Sequence, residues 1–175
     1  GIVHRIDMDT TGVIIACKND FAHNHIAEQL KEHSISRRYI AIVHGNLKED
    51  EGTVNAPIGR HPTDRKKMAV NYKNGKEAVT HYHVLSRYGN YTYIECRLET
   101  GRTHQIRVHM AYLGHPVAGD PVYGPHNCIT SLHGQCLHAK TLGFIHPITG
   151  EQLRFDSELP DYFTHFLATL RRKNT

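Results

Sequence analysis

Residues 2–17 read Ile2-Val3-His4-Arg5-Ile6-Asp7-Met8-Asp9-Thr10-Thr11-Gly12-Val13-Ile14-Ile15-Ala16-Cys17. Two β-prone runs, 2–6 and the apolar 13–17, flank a polar turn that ends on Gly12, a natural breaker. The pattern predicts two β segments. It also leaves a carboxylate, Asp7, at a sheet edge where the first segment ends. Two readings fit Asp7: a turn residue accepting hydrogen bonds from the amides of Asp9, Thr10 or Thr11, or a charge open to a cleft.

Outward from this stretch the pattern alternates between helix and strand. Asp20 is placed to cap a helix over 21–31, where Ala22, Ile26 and Leu30 recur every four residues. Tyr39-Ile40-Ala41-Ile42-Val43 is nearly continuous in apolar character, as a buried strand requires. Residues 53–58 read as a short strand and 59–67 as a basic loop. Residues 78–87 and 91–99 alternate as a hairpin around Tyr88-Gly89-Asn90. Thr103 is a good N-cap and Gly114 with Pro116 a good stop, with Ile106, Met110 and Leu113 striping the helix between them. Residues 115–135 read as loop, 136–146 and 151–155 as strands. Pro160 opens a terminal helix carrying Phe163, Phe166, Leu167 and Leu170 on one side. No βαβ alternation argues for a doubly wound sheet. The expected fold is α/β of the α+β kind: one domain over 1–175, with a mixed, largely antiparallel sheet flanked by helices.

Composition narrows the function classes. The 175 residues, 39% apolar and 22% charged, suit a folded domain rather than a disordered chain. The longest apolar run, 13–17, is far below the roughly 18 residues of a membrane span. The four cysteines form no CxxC pair and predict reduced thiols. With 21 basic and 17 acidic residues the net charge is +4, which permits a polyanionic partner without demanding one. The sixteen histidines invite a metal reading. However, no HExxH or Cys/His ligand spacing occurs, and His23 and His25 on a helix do not converge.

In Gly101-Arg102-Thr103-His104-Gln105-Ile106-Arg107-Val108-His109, cationic and polar side chains crowd the start of a helix. The macrodipole is positive there, so Arg107 calls for a specific anion. That anion is a carboxylate such as Asp7 or a phosphate; the bland alternative is a solvated helix face.

Taken together, these blocks resemble a known family. HRIDxDTTG at 4–12, Arg38-Tyr39-Ile40-Ala41-Ile42-Val43-His44-Gly45, and GRTHQIRVHM at 101–110 are similar to the signatures of the RluA/RluD-type pseudouridine synthases. Gly114-His115-Pro116-Val117, Gly119-Asp120, Tyr123-Gly124, Leu137-His138-Ala139 and Phe144-Ile145-His146-Pro147 continue the likeness in family order. The pattern is most like the bacterial large-subunit ribosomal RNA synthases of the D group.

The resemblance implies a pseudouridine-synthase-like fold and an isomerase that needs no cofactor. It implies that Asp7 attacks the target uridine and that Arg5 fills the space the flipped nucleotide leaves. Tyr39 would stack on the flipped base, and Arg107 would pair with the aspartate. Family members carry further catalytic-domain sequence before this motif, and often a small RNA-binding S4 domain. The resemblance therefore implies a domain truncated at its N-terminal edge.

Candidate RNA contacts are Arg5, Arg38, Arg60, Arg65, Lys66, Lys67, Arg102, His104 and Gln105, and Arg37 beside Arg38 is a further cation that could meet phosphate. Arg171-Arg172-Lys173 reads as a solvated face. The expected partner is ribosomal RNA, with a monomer in the cytoplasm and no membrane contact. The alternatives are an RNA-binding module without catalysis and a pseudouridine synthase acting on transfer RNA.

Overall fold

The computed structural model describes residues 1–173; the last two positions of the expected domain, Asn174 and Thr175, lie outside the described residues. The apolar run at 39–43 lies at the heart of the sheet, within strand β2 (Ser36–His44). Ile40, Ala41, Ile42 and Val43 are all buried, so both faces of this strand are covered. An unbroken apolar run, rather than an alternating one, fits such a position.

The other elements assemble around it. In chain order they are β1 (Thr11–Gly12), α1 (Asp20–Lys31), β3 (Glu51–Asn55), β4 (Ile58–Arg60), β5 (Met68–Val70), β6 (Val79–Arg87) and β7 (Tyr91–Leu98). They continue with α2 (Gln105–Tyr112), a 3-10 turn (Thr130–Leu132), β8 (Leu137–Ile145), β9 (Gln152–Asp156) and α3 (Asp161–Lys173). Among the described residues the main sheet has seven strands in the order β1-β8-β2-β7-β6-β3, with β9 also on β8. Its pairings are antiparallel except β1 with β8. Strands β4 and β5 form a separate hairpin. The expected mixed, largely antiparallel sheet with flanking helices is what the chain builds.

Side-chain alternation assigns the two faces. Tyr93, opposite Ile42, meets Phe163 of α3 edge to face, and Tyr91 meets Phe166. The opposite parity faces α2: Thr80 shares a 2.8 Å hydrogen bond with His109. Ile106 and Met110 of α2, and Phe163, Leu167 and Leu170 of α3, belong to one buried cluster around β2. Five of the stripe positions named from sequence on these two helices, Ile106, Met110, Phe163, Leu167 and Leu170, thus lie in the core.

Several expectations are corrected. Residues 2–6 and 13–17 are not regular strands: a single bridge joins Ile2 to Ala16, and regular pairing is confined to β1. The Ile15 amide donates to the His4 ring at 2.9 Å instead of to a ladder carbonyl. Gly12 sits at φ 119°, and a Cβ there would overlap the Ala139 backbone. Helix α1 is capped by Asn19, whose side chain accepts from the Ala22 amide, so Asp20 is its first residue. The expected strand 53–58 is split into β3 and β4 around Pro57, which has no amide to give to a ladder. Thr103 does not cap α2. His104 stands there at φ 57° without a side-chain cap, and the Gln105 amide oxygen accepts from the Arg102 amide instead.

Three of the four cysteines, and His109 and His138 among the histidines, are buried in the packing. Burial pushes the Cys96 thiol up to about 12 and the Cys136 thiol higher still, which suits packing rather than chemistry. Burial lowers His44, His109 and His138 below the ordinary histidine value of 6.5. Above that value folded and unfolded chains are both neutral at these rings. Below it the unfolded chain takes up protons that the folded rings refuse, so stability falls with pH. The melting temperature is therefore expected to drop by several degrees between about pH 7.5 and 5.5. A flat profile over that window would show that these rings charge in the fold at no cost.

Candidate active site

The site is built around the turn that follows residues 1–6, facing strand β2 and the start of helix α2. The turn at 7–12 is fastened first. The Thr10 amide donates to the Asp7 carbonyl at 3.0 Å. The buried Gln135 amide then donates to the Met8 carbonyl at 2.6 Å and to the Thr10 hydroxyl at 2.9 Å. Asp9 takes a left-handed φ of 69°, a conformation Asp tolerates better than most residues. These contacts occupy the turn's backbone and leave the Asp7 carboxylate free to face the cleft.

Arg107 reaches it from α2. Its Nη1 donates to Asp7 Oδ2 at 3.2 Å, and the two side chains are 5% and 15% exposed. The tighter partner is Asp120: Arg107 Nε donates to Oδ2 at 2.7 Å and Nη2 to Oδ1 at 3.0 Å. This is a fork-to-fork pair, and Asp120 is fully buried. Asp120 Oδ1 also accepts the amides of Val122 and Tyr123. Segment 117–120 is held against β2 by the Val43–Val117 bridge and by the Ala118 amide on the Ile42 carbonyl. Burial disfavours the guanidinium's charge, but Asp120 and then Asp7 outweigh it, leaving Arg107 above its ordinary value.

A cleft of about 550 Å³ opens beside this pair. Arg5, Asp7, Arg37, Tyr39, Arg102 and His104 line it, with Ile6, Leu98, Ile106 and Leu137 as apolar wall. Tyr39 enters from β2 at a bulge, opposite Cys96 on β7 and Ala139 on β8. Burial pushes its phenol above the ordinary value; Arg37 opposes that and Asp7 adds to it. His104 sits with Nε2 4.0 Å from Asp7 Oδ1, and burial lowers its ring below the ordinary value.

The structure therefore brings Asp7, Arg107, Tyr39, Arg5, Arg102 and His104 together. It separates Arg38 from them: Arg38 points to the α3 side of the sheet, where it pairs with Glu95 at 3.1 Å. Gln105 borders the cleft but is buried, with its amide engaged by Thr100, Thr80 and the Val79 carbonyl. It organises the entry to α2. Arg60, Arg65 and Lys66 are exposed, and with half-buried Lys67 they form the end of the β4–β5 hairpin.

Of the two adjacent cations that could meet phosphate, Arg37, not Arg38, lines the cleft, and its Nε is buried without a hydrogen-bond partner among the described residues. Period-two alternation from Tyr39 carries that signal, since residues i and i−2 share a face. The role of Asp120 was not legible in the sequence. A lone acid after the apolar Val117-Ala118-Gly119 is one that folding buries, and a buried carboxylate demands a cation. Among the described residues no three His, Cys, Asp or Glu side chains converge as a metal would require. No helix of the described chain is long and apolar enough to cross a membrane.

Comparison with known proteins places this arrangement. Residues 1–112 match the family model described as RNA pseudouridylate synthase. A Bacillus subtilis (strain 168) protein, named as the uncharacterized RNA pseudouridine synthase YlyB, is 52% identical over 98% of this chain and 56% of its own length. Ribosomal large subunit pseudouridine synthase D of Zymomonas mobilis is 52% identical over 91% of this chain and 53% of its own. The chain thus spans about half the length of the curated relatives it matches. The solved structure of human RNA Pseudouridylate Synthase Domain Containing 4 superposes with a TM-score of 0.79 at 27% identity, covering 97% of this chain and 75% of that one. The family match takes in the Asp7 turn, the strand carrying Tyr39 and all of α2, so the chain belongs to the RNA pseudouridylate synthase family, in its RluA/RluD-type branch.

Proposed function

We propose that the protein isomerises selected uridines in RNA to pseudouridine, in large-subunit ribosomal RNA, through the cleft at Asp7. The observation that carries this reading is the carboxylate of Asp7, held by Arg107 at the mouth of a cleft that also receives Tyr39. The names of the relatives favour ribosomal over transfer RNA.

The reaction breaks the N1–C1′ bond, turns the base and joins C5 to C1′. C5 loses a proton and N1 gains one, so nothing is added, oxidised or hydrolysed. The base must first leave its stack, at a cost of a few kcal/mol. Exposed Arg5 is placed to fill the gap, and the Tyr39 ring offers a face for the flipped base. Asp7 then acts as an ionised carboxylate, with Arg107 compensating its charge. Attack at C1′, addition at C6 and removal of the C2′ proton all need one carboxylate at the sugar–base junction. Burial holds the Tyr39 phenol in its protonated form, so it meets the base as a neutral ring.

Arg37 and Arg102 at the cleft, and Arg60, Arg65, Lys66 and Lys67 on the β4–β5 hairpin, supply phosphate contacts. The protein works in the cytoplasm as a monomer without a cofactor, and the chain belongs to one catalytic domain.

Pseudouridine mapping in RNA from cells with and without the gene tests the reading. Loss of one or more sites in large-subunit ribosomal RNA is expected, and an unchanged map of all RNA would refute it. Tyr39→Phe keeps the stacking face and loses the phenol. Its single-turnover rate is expected to fall about 10²-fold with RNA affinity retained, and a wild-type rate would remove the hydroxyl from the chemistry.

A further inference from the structure

His104 and Tyr123 have no part in the reaction as drawn above, yet they form a chain of contacts that ends on Asp7. The Met68 amide, on β5, donates to the Tyr123 phenol oxygen at 3.0 Å. That oxygen lies 2.7 Å from His104 Nδ1, and the two rings meet edge to face. His104 Nε2 lies 4.0 Å from Asp7 Oδ1. The Arg107 guanidinium lies over the Tyr123 ring, 5.1 Å from its centre.

We infer that Tyr123 holds His104 in the Nε2–H tautomer, so that a neutral N–H donor faces Asp7 Oδ1 while Arg107 addresses Oδ2. The inference rests on the reading of Asp7 as the reacting carboxylate. A phenol has one proton to give and can accept at its oxygen. Here it already accepts from Met68. If His104 carried its proton on Nδ1, the phenol would accept twice and its own proton would lack a partner. Donation from the phenol to Nδ1 satisfies all three groups and leaves the ring's one proton on Nε2.

The environment keeps the ring neutral. Burial opposes its charge first; Asp7 and Asp120 favour the charge, and Arg107 and Arg5 oppose it. His104 is further constrained by its left-handed backbone, φ 57°, at the start of α2. The gap to Asp7 is about 1 Å longer than a hydrogen bond, so positioning through Nε2 requires the contact to tighten when substrate orders the carboxylate. His104 and Tyr123 are thus positioning residues: with Arg107 they fix the plane of the carboxylate through both of its oxygens. The same phenol anchors β5, the second strand of the basic hairpin, to the site.

The test uses the 175-residue chain with ¹⁵N-labelled histidine, the His104 signals being those lost in His104→Gln. Nδ1 of His104 is expected to resonate as an unprotonated acceptor and Nε2 as protonated at neutral pH. Tyr123→Phe is expected to give a mixture of tautomers, with the single-turnover rate down about tenfold and RNA affinity unchanged. His104→Gln retains an N–H donor at similar reach and is expected to keep several-fold more activity than His104→Ala. A wild-type ring protonated on Nδ1, or a Tyr123→Phe chain with tautomer and rate unaltered, overturns the inference. So do Gln and Ala variants of equal rate. A wild-type protein that makes no pseudouridine defeats the functional reading instead, and the tautomer spectra, which need no turnover, still decide this one.

Discussion

Asp7→Asn is expected to reduce pseudouridine formation at least about 10³-fold while RNA affinity stays within about twofold. Asn keeps the shape of the side chain and can still accept from Arg107 Nη1, so the turn at 7–12 has no reason to move. Its backbone contacts to Gln135 and Thr10 do not involve the carboxylate. Arg107 also keeps its two bonds to Asp120, so no buried charge is left alone. What disappears is the nucleophilic or basic oxygen. Single-turnover pseudouridine formation and filter binding on the same RNA separate the two effects. Turnover near the wild-type rate would remove Asp7 from the reaction and with it the proposed function.

Arg107→Lys is expected to cost about 10²-fold in rate and about 2–4 kcal/mol in stability, despite conserving charge. Arg107 serves two carboxylates at once, with Nε and Nη2 on Asp120 and Nη1 on Asp7. A lysine is a single point of charge on a flexible stem and cannot span both. Asp120 is fully buried and so holds the stronger claim on the ammonium, although its Oδ1 retains the Val122 and Tyr123 amides. Asp7 then loses its partner. The expected signature is a fall in rate larger than the fall in RNA affinity, together with a lower urea midpoint. An unaltered rate would show that the bridge from Asp120 to Asp7 is not what organises the carboxylate.

The two variants differ in what they reveal about reading a site from sequence. Asp7 reads from its own neighbours either as a turn acid or as a charge open to a cleft, and it is the HRIDxDTTG motif that singles it out. Arg107 stands out because its charge sits at the unfavourable end of a helix. Its partner was expected to be Asp7 or a phosphate. The observed partner is chiefly Asp120, with Asp7 as the third contact of the same guanidinium.

Similar limits apply to the RNA-facing residues. Arg37 and Arg38 are adjacent and chemically alike, but alternation along β2 sends one to the cleft and the other to Glu95. Only the register of the strand settles which is which. Gln105 reads as a polar helix-start residue available to a ligand; its burial depends on Thr80, Thr100 and Val79, which come from β6 and from the end of β7.

What the sequence alone determined is whatever short-range pattern encodes. The buried strand at 39–43, the hairpin at 78–99 and the terminal helix follow from periodicity and turn chemistry. Asp7, Tyr39 and Arg107 follow from the motifs that carry the family resemblance. What only the tertiary structure decided is which groups meet across long separations in the chain. Asp7 and Arg107 are 100 residues apart, and Gln135 reaches back 127 to hold Met8. The physical reason is that a buried charge or amide is satisfied by whichever partner the packed sheet brings within about 3 Å, and no local pattern records that distance.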